Sequence, residues 1–130
     1  MLELGLGYLP LGQSLSDLSA GESMRLKLAS HLEGRSSGTL RTEHGKLIVM
    51  DEPTTGLHFQ DIDRLIRCVD VLIDQGNTVV VIEHNQQIIS NADHIIELGP
   101  GAGDQGGRVI ATGTAIELKT NPHSVTGRYL

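Results

Sequence analysis

Leu47 to His58, LIVMDEPTTGLH, decides the reading of this chain. Four apolar residues, Leu47 to Met50, run without a break into two adjacent carboxylates, Asp51 and Glu52. A short, wholly apolar run of this kind predicts a strand buried on both faces of a sheet. Neighbouring residues leaving a strand point in different directions, so the two carboxylates can divide labour. One can hold the outer shell of a Mg²⁺ ion while the other polarises an attacking water, as the catalytic side of a phosphoryl-transfer site requires. Two solvated loop acids would look the same in isolation; the Pro53-Thr54-Thr55-Gly56 that follows favours the site.

Working outward, Ile62, Leu65, Ile66, Val69, Leu72 and Ile73 recur at the helical period, predicting a helix over about Phe59 to Asp74, and Gly76 stands where a C-terminal cap belongs. Thr78 to Ile82 (TVVVI) predicts a second buried strand, a short helix follows around Asn85 to Ser90, and His94 to Leu98 predicts a third strand. Gly107 to Thr112 predicts a fourth, paired across a glycine-rich turn, and Thr114 to Lys119 a last helical turn or two. On the other side, residues 1–18 read as an irregular lead-in, Ser19 to Glu33 as a helix and residues 34–45 as a polar loop. The alternation of strands with helices predicts an α/β fold with a mostly parallel sheet flanked by helices. Ligands gather at the carboxyl ends of such strands, so Asp51-Glu52 and Glu83-His84 are expected on one edge.

Ser19-Ala20-Gly21-Glu22 opens the first predicted helix. The S-x-x-E spacing is that of a capping box, in which Ser19 caps the helix and Glu22 reaches back. The same geometry, with exposed amides, a hydroxyl and a glycine that permits close approach, suits an anion such as a γ-phosphate. A lone histidine after a strand is more often a surface or capping residue; beside Asp51-Glu52, His84 becomes a candidate γ-phosphate donor. His31, His44, His58, His94 and His123 show no metal-ligand spacing. Gly101 to Gly106 matches G-x-G-x-x-G, but the fingerprint must open a helix and here a strand follows, so a hairpin turn is expected instead.

The phosphate-cradling loop G-x-x-x-x-G-K-[ST] is missing: Gly45-Lys46, the one Gly-Lys pair, is followed by Leu47 and has Leu40 at the first glycine position. With 130 residues the chain is long enough for one core but short for a complete nucleotide-hydrolysing domain. Aromatic residues make up only 2%, too few for a base-stacking platform, and a net charge of -6 argues against this chain alone holding a phosphate backbone. Cys68 is the single cysteine, which excludes an internal disulfide and a four-cysteine zinc site. No run reaches membrane-spanning length and the N-terminus lacks the features of a signal peptide, so a cytoplasmic protein is expected.

LSAGE, LIVMDEP and VVVIEHN, in that order, resemble the C-terminal half of an ATP-binding-cassette (ABC) nucleotide-binding domain of the P-loop ATPases. TTGLH, together with LGLGYLPLGQ, HIIELGPGAGDQGGRVIATGT and HSVTGRYL, is similar to the C-terminal end of the UvrA family of the ABC excinuclease, the damage-recognition ATPases of bacterial nucleotide excision repair. The resemblance implies a single partial domain over 1–130, truncated so that the Walker A half is absent. It implies that Ser19, Ala20, Gly21 and Glu22 form the signature motif offered to ATP, with Ala20 where a second glycine is usual. Asp51 would be the Walker B ligand of Mg²⁺ through water, Glu52 the catalytic base, His84 the switch histidine of the H-loop, and Thr54 to His58 the D-loop that crosses between cassettes. ATP and Mg²⁺ are implied only in a complete composite site, and no zinc in this chain.

The implied partners are a Walker A-bearing ABC cassette and a repair subunit of the excinuclease complex, with DNA met only indirectly and no membrane. Alone, the chain is expected to be an inactive piece of an ATPase. Two other readings stay open: a non-catalytic interaction module or remnant of a split or truncated gene of this type, and a fragment of a transporter-type ABC cassette.

Overall fold

In the computed structural model, residue 12 and residues 14–29, 45–101, 103 and 106–130 are described. Most of the expected lead-in over 1–18 and nearly all of the expected loop over 34–45 fall outside them, as does the end of the first predicted helix. The chain divides into two compact units, Met1–Glu83 and His84–Leu130.

The first unit contains α1 (Ala20–Ala29), β1 (Leu47–Asp51), α2 (Phe59–Asp74) and β2 (Thr78–Ile82), with a 3₁₀ turn at Leu15–Asp17. β1 and β2 pair in parallel, Leu47 opposite Thr78 and Asp51 opposite Ile82, with α2 as the crossover. α2 buries Ile62, Leu65, Cys68 and Leu72 and packs on α1 and β2; Leu28 of α1 and Ile48 and Met50 of β1 complete the buried set. Burying each large aliphatic side chain contributes about 1.5–3 kcal/mol. Cys68 sits among them as a small apolar residue.

α2 ends in a Schellman motif. The Asn77 N–H donates to the Leu72 carbonyl at 3.3 Å and the Gly76 N–H to Ile73 at 2.8 Å, with Gly76 at φ +88. The same turn receives the chain entering β1. The Lys46 N–H donates to Oδ1 of Asn77 at 3.0 Å, and the Thr78 N–H donates to the Lys46 carbonyl at 2.9 Å. Gly45 passes so close that a Cβ on it would lie 1.7 Å from the Gly76 carbonyl oxygen. The Gly-Lys pair that fails as a phosphate loop therefore has a structural reason: backbone meets backbone there.

The second unit contains α3 (Gln86–Ser90), β3 (Ile95–Gly99), β4 (Arg108–Gly113), α4 (Ala115–Thr120) and a 3₁₀ turn at Thr126–Tyr129. β3 and β4 form an antiparallel hairpin with an irregularity between Glu97 and Leu98. Asn85 caps α3 through Oδ1, and Thr114 and Glu117 form a capping box on α4. The hairpin expected for the fourth strand is present, although much of its Gly101–Gly106 turn lies outside the described residues.

Among the described residues the strands form one parallel pair, β1–β2, and one antiparallel pair, β3–β4, so a mostly parallel sheet is not what the pairing shows. Only 12 residues separate the end of β2 from β3, near the lower limit of a parallel crossover, whereas the β3–β4 connection is an ordinary hairpin loop. Nor is β1 buried on both faces. Ile48 and Met50 are buried, but Leu47 is 67% and Val49 60% exposed, and Val80 and Ile82 of β2 share that open face. The α/β character stands, with each sheet covered on one side only. No helix among the described residues is long and apolar enough to cross a membrane.

Candidate functional site

Asp51 is the last residue of β1 and faces solvent at its carboxyl end. Glu52, also exposed, follows with φ +42, the one non-glycine residue with positive φ among those described. This left-handed step is disfavoured for a residue with a Cβ. The Glu52 N–H still donates to the Ile82 carbonyl at 2.9 Å, prolonging the parallel ladder by one bond. The Thr55 N–H closes the turn on the Glu52 carbonyl at 3.1 Å, and the Thr55 hydroxyl donates to Oε2 of Glu52 at 3.3 Å. Pro53 is buried beneath.

Glu83, the first residue after β2, reaches this loop. Its Oε1 accepts the Thr54 N–H at 2.8 Å and also the Thr54 hydroxyl. The loop runs on through Gly56 to His58, the N-cap of α2, whose Nδ1 accepts from the Gln60 N–H at 3.5 Å. The carboxyl ends of β1 and β2 are thus joined, and the candidate carboxylates of β1 lie at that edge.

At α1, the Ser19 N–H donates to Oε2 of Glu22 at 2.8 Å and the Glu22 N–H donates to the Ser19 hydroxyl at 3.2 Å, which is the capping box. Gly21 is buried in the first turn, and Ala20 is the first residue of the helix. His84 is the first residue of the second unit, exposed, and immediately precedes the Asn85 cap.

Among the described residues no group of three or more His, Cys, Asp or Glu gathers to hold a metal ion. Mg²⁺ needs no such cage, since it keeps most of its waters and takes one or two carboxylates beside substrate phosphates. An exposed aspartate at a strand end suits that mode, so Asp51 fits the ion.

Sequence reasoning places Glu83 at a strand end without giving it a role, and misses Glu97. Glu83 is conspicuous in the sequence only as the neighbour of His84, and its signal is its place, an acid directly after a strand. Glu97 reads as an ordinary strand residue, yet it is buried in the second unit. Its carboxylate accepts from the Ser124 hydroxyl at 2.6 Å, the Val125 N–H at 3.1 Å, the Thr126 N–H at 2.8 Å and the Thr126 hydroxyl at 2.9 Å. Burial acts to raise its pKa, but the bonds from Ser124, Thr126 and Val125 outweigh that and hold it below the ordinary glutamate range.

No family model matches the chain. Individual relatives do, over its whole length. The chain is 49% identical over 130 residues to UvrABC system protein A of Staphylococcus epidermidis, covering all of this chain and 13% of that protein. It is 52% identical over 128 residues to the protein of the same name from Streptococcus pyogenes, covering 98% of this chain and again 13% of the relative. Among solved structures it resembles the crystal structure of UvrA2 from Deinococcus radiodurans, at 45% identity and a TM-score of 0.78, covering 99% of this chain and 15% of that one. Fold and similarity together define the class, an α/β chain related to a protein of the UvrABC system. The family to which the chain belongs is UvrABC system protein A, of whose first relatives it spans 13% of the length.

Proposed function

We propose that this chain supplies signature, Walker B and switch elements to composite ATP sites in a UvrA-type ATPase of nucleotide excision repair, the signature being offered to ATP on an opposing cassette, and that these sites gate DNA damage recognition. The observation that supports the reading is the exposed pair Asp51–Glu52 at the carboxyl end of β1, with a left-handed backbone step at Glu52. Asp51 would hold Mg²⁺ through water, and the ion would supply compensation for the charge on the ATP phosphates. Glu52 orients and polarises the attacking water. At the α1 N-terminus the Ser19 hydroxyl and the Ala20 and Gly21 amides face phosphate while Glu22 closes the capping box, and His84 donates to a γ-phosphate. Thr54 to His58 form the loop that meets the opposing cassette. The partners are a Walker A-bearing cassette and another component of the excinuclease, DNA is met indirectly, and the setting is the cytoplasm.

Because this chain has no phosphate-cradling loop, its own turnover of ATP is negligible and a Walker A-bearing half restores it. The test mixes the purified chain with such a half from a UvrA protein, adds ATP and Mg²⁺, and follows phosphate release. The expected result is turnover that needs both components and disappears with Glu52→Gln. Stimulation that persists with Glu52→Gln would instead identify a non-catalytic interaction module. The open apolar faces of β1–β2 and β3–β4 favour that second reading, since faces of this kind ordinarily meet another protein surface.

A further inference from the structure

Two connections tie the loop after β1 to the end of β2. The first is the backbone bond from Glu52 N–H to the Ile82 carbonyl. The second is the Glu83 carboxylate, whose Oε1 takes both the N–H and the hydroxyl of Thr54. Glu52 and Pro53 lie between these two anchors. A left-handed non-glycine residue persists only where its surroundings over-determine it. Here the strained residue is held on one side by the ladder and on the other by a residue whose backbone and side chain are both fixed to one oxygen.

Charge assistance makes such bonds roughly twice as strong as neutral ones, so a carboxylate is a firmer anchor than a carbonyl or a water. Both donors come from Thr54, and the contact therefore fixes its χ1 rotamer together with its amide plane. The anchor is partly buried, where water competes less well for the same donors.

We infer that Glu83 is a positioning residue for Glu52: acting through Thr54, it holds the loop in which Glu52 takes its left-handed conformation and so sets the aim of the Glu52 carboxylate. This rests on the assignment of Glu52 as the water-polarising group. Glu83 does not itself meet substrate. It acts two residues away, and its loss lets the 52–54 loop relax toward unstrained backbone, swinging the Glu52 carboxylate off line.

The test compares Glu83→Ala, which removes the acceptor, with Glu83→Gln, whose amide oxygen still accepts both Thr54 donors. In the reconstituted mixture with a Walker A-bearing half, Glu83→Ala lowers kcat by about 10²-fold, the scale of a small misplacement of a catalytic group, with KM for ATP nearly unchanged. Glu83→Gln recovers most of that loss. An unchanged kcat for Glu83→Ala, alongside turnover that still requires Glu52, overturns the inference and leaves the function standing. If wild type itself shows no Glu52-dependent turnover, the function falls, and hydrogen exchange on the full chain decides the positioning role. Glu83→Ala should then speed exchange of both the Glu52 and Thr54 amides while α2 amides stay as they were. Acceleration at Thr54 alone shows that the anchor does not reach Glu52 and overturns the inference.

Discussion

The Ser124 hydroxyl donates a 2.6 Å hydrogen bond to Oε2 of Glu97, and both residues are buried in the second unit. Oε1 of the same carboxylate takes the Val125 and Thr126 amides and the Thr126 hydroxyl, so one side chain on β3 gathers four donors from the C-terminal segment. The Ser124 hydroxyl in turn accepts the Gly127 N–H at 2.8 Å. Glu97→Ala leaves these donors without their acceptor, and charged hydrogen bonds to buried groups are costly to break. The expected destabilisation of the second unit is about 2–4 kcal/mol, read by denaturant melts or by exchange of β3 and β4 amides. Glu97→Gln, which keeps two acceptor sites on one oxygen, should lose less.

The same carboxylate predicts an acid response. Its folded pKa lies below the ordinary glutamate value of 4.5. A depressed pKa stabilises the fold fully above the unfolded value, and that contribution fades as pH falls through the folded value. Glu117, held low first by the Thr114 N–H and next by the Thr114 hydroxyl in the α4 capping box, works in the same direction. Stability of the second unit should therefore be flat with respect to these two groups above about pH 5 and fall below 4.5. Glu97→Gln should flatten that acid limb, leaving the part due to Glu117. A limb of unchanged steepness in Glu97→Gln would show that Glu97 is not its source.

The helices are legible because their signals are local. The period from Ile62 to Leu72 sets α2, Gly76 marks its end, and S-x-x-E marks the start of α1. Strand partners are not local. LIVM reads as doubly buried because nothing in four apolar residues says whether a second layer lies within the chain, and here Leu47 and Val49 remain open. Of the site, the positions of Asp51 and Glu52 at a strand end are readable. The left-handed backbone at Glu52 is not, since glutamate carries no preference for it. The contact made by Glu83 and the burial of Glu97 are not readable because each is defined by donors far along the chain, Thr54 in one case and the segment Ser124 to Thr126 in the other.

Gly45 offers a sharp backbone test. A methyl group at this position would meet the Gly76 carbonyl oxygen at 1.7 Å, and neither partner is a side chain that can turn aside. Gly45→Ala must displace the entry to β1 or the Schellman turn of α2. Its cost should reach about 2 kcal/mol or more, although alanine lowers the entropy of the unfolded chain. Thermal melts should show the drop, with exchange at the Lys46 and Thr78 amides accelerating first.

The outer face of the hairpin carries Ile96 and Leu98, each 63% exposed, and Val109 at 60%. Replacing Ile96 and Val109 by Thr keeps strand propensity while removing apolar surface, and should change the stability of the isolated chain by no more than about 0.5 kcal/mol. Leu118→Ala, at a fully buried position, should cost about 2–5 kcal/mol. Light scattering on the same samples should show less self-association in the double Thr variant.

Glu52 separates strain from chemistry. Both Glu52→Ala and Glu52→Gly remove the carboxylate, so both should abolish turnover in the reconstituted mixture. Alanine retains the Cβ that makes φ +42 unfavourable, by about 1–2 kcal/mol, and should leave stability nearly unchanged. Glycine relieves that strain but gains freedom in the unfolded chain worth about 0.5–1 kcal/mol, so the net gain over alanine should be about 0–1.5 kcal/mol. A glycine variant that melts below the alanine variant would mean that the residue is not held in the left-handed region in solution. A glycine variant more stable than wild type, and inactive, is the expected outcome where backbone strain is kept for the aim of a carboxylate.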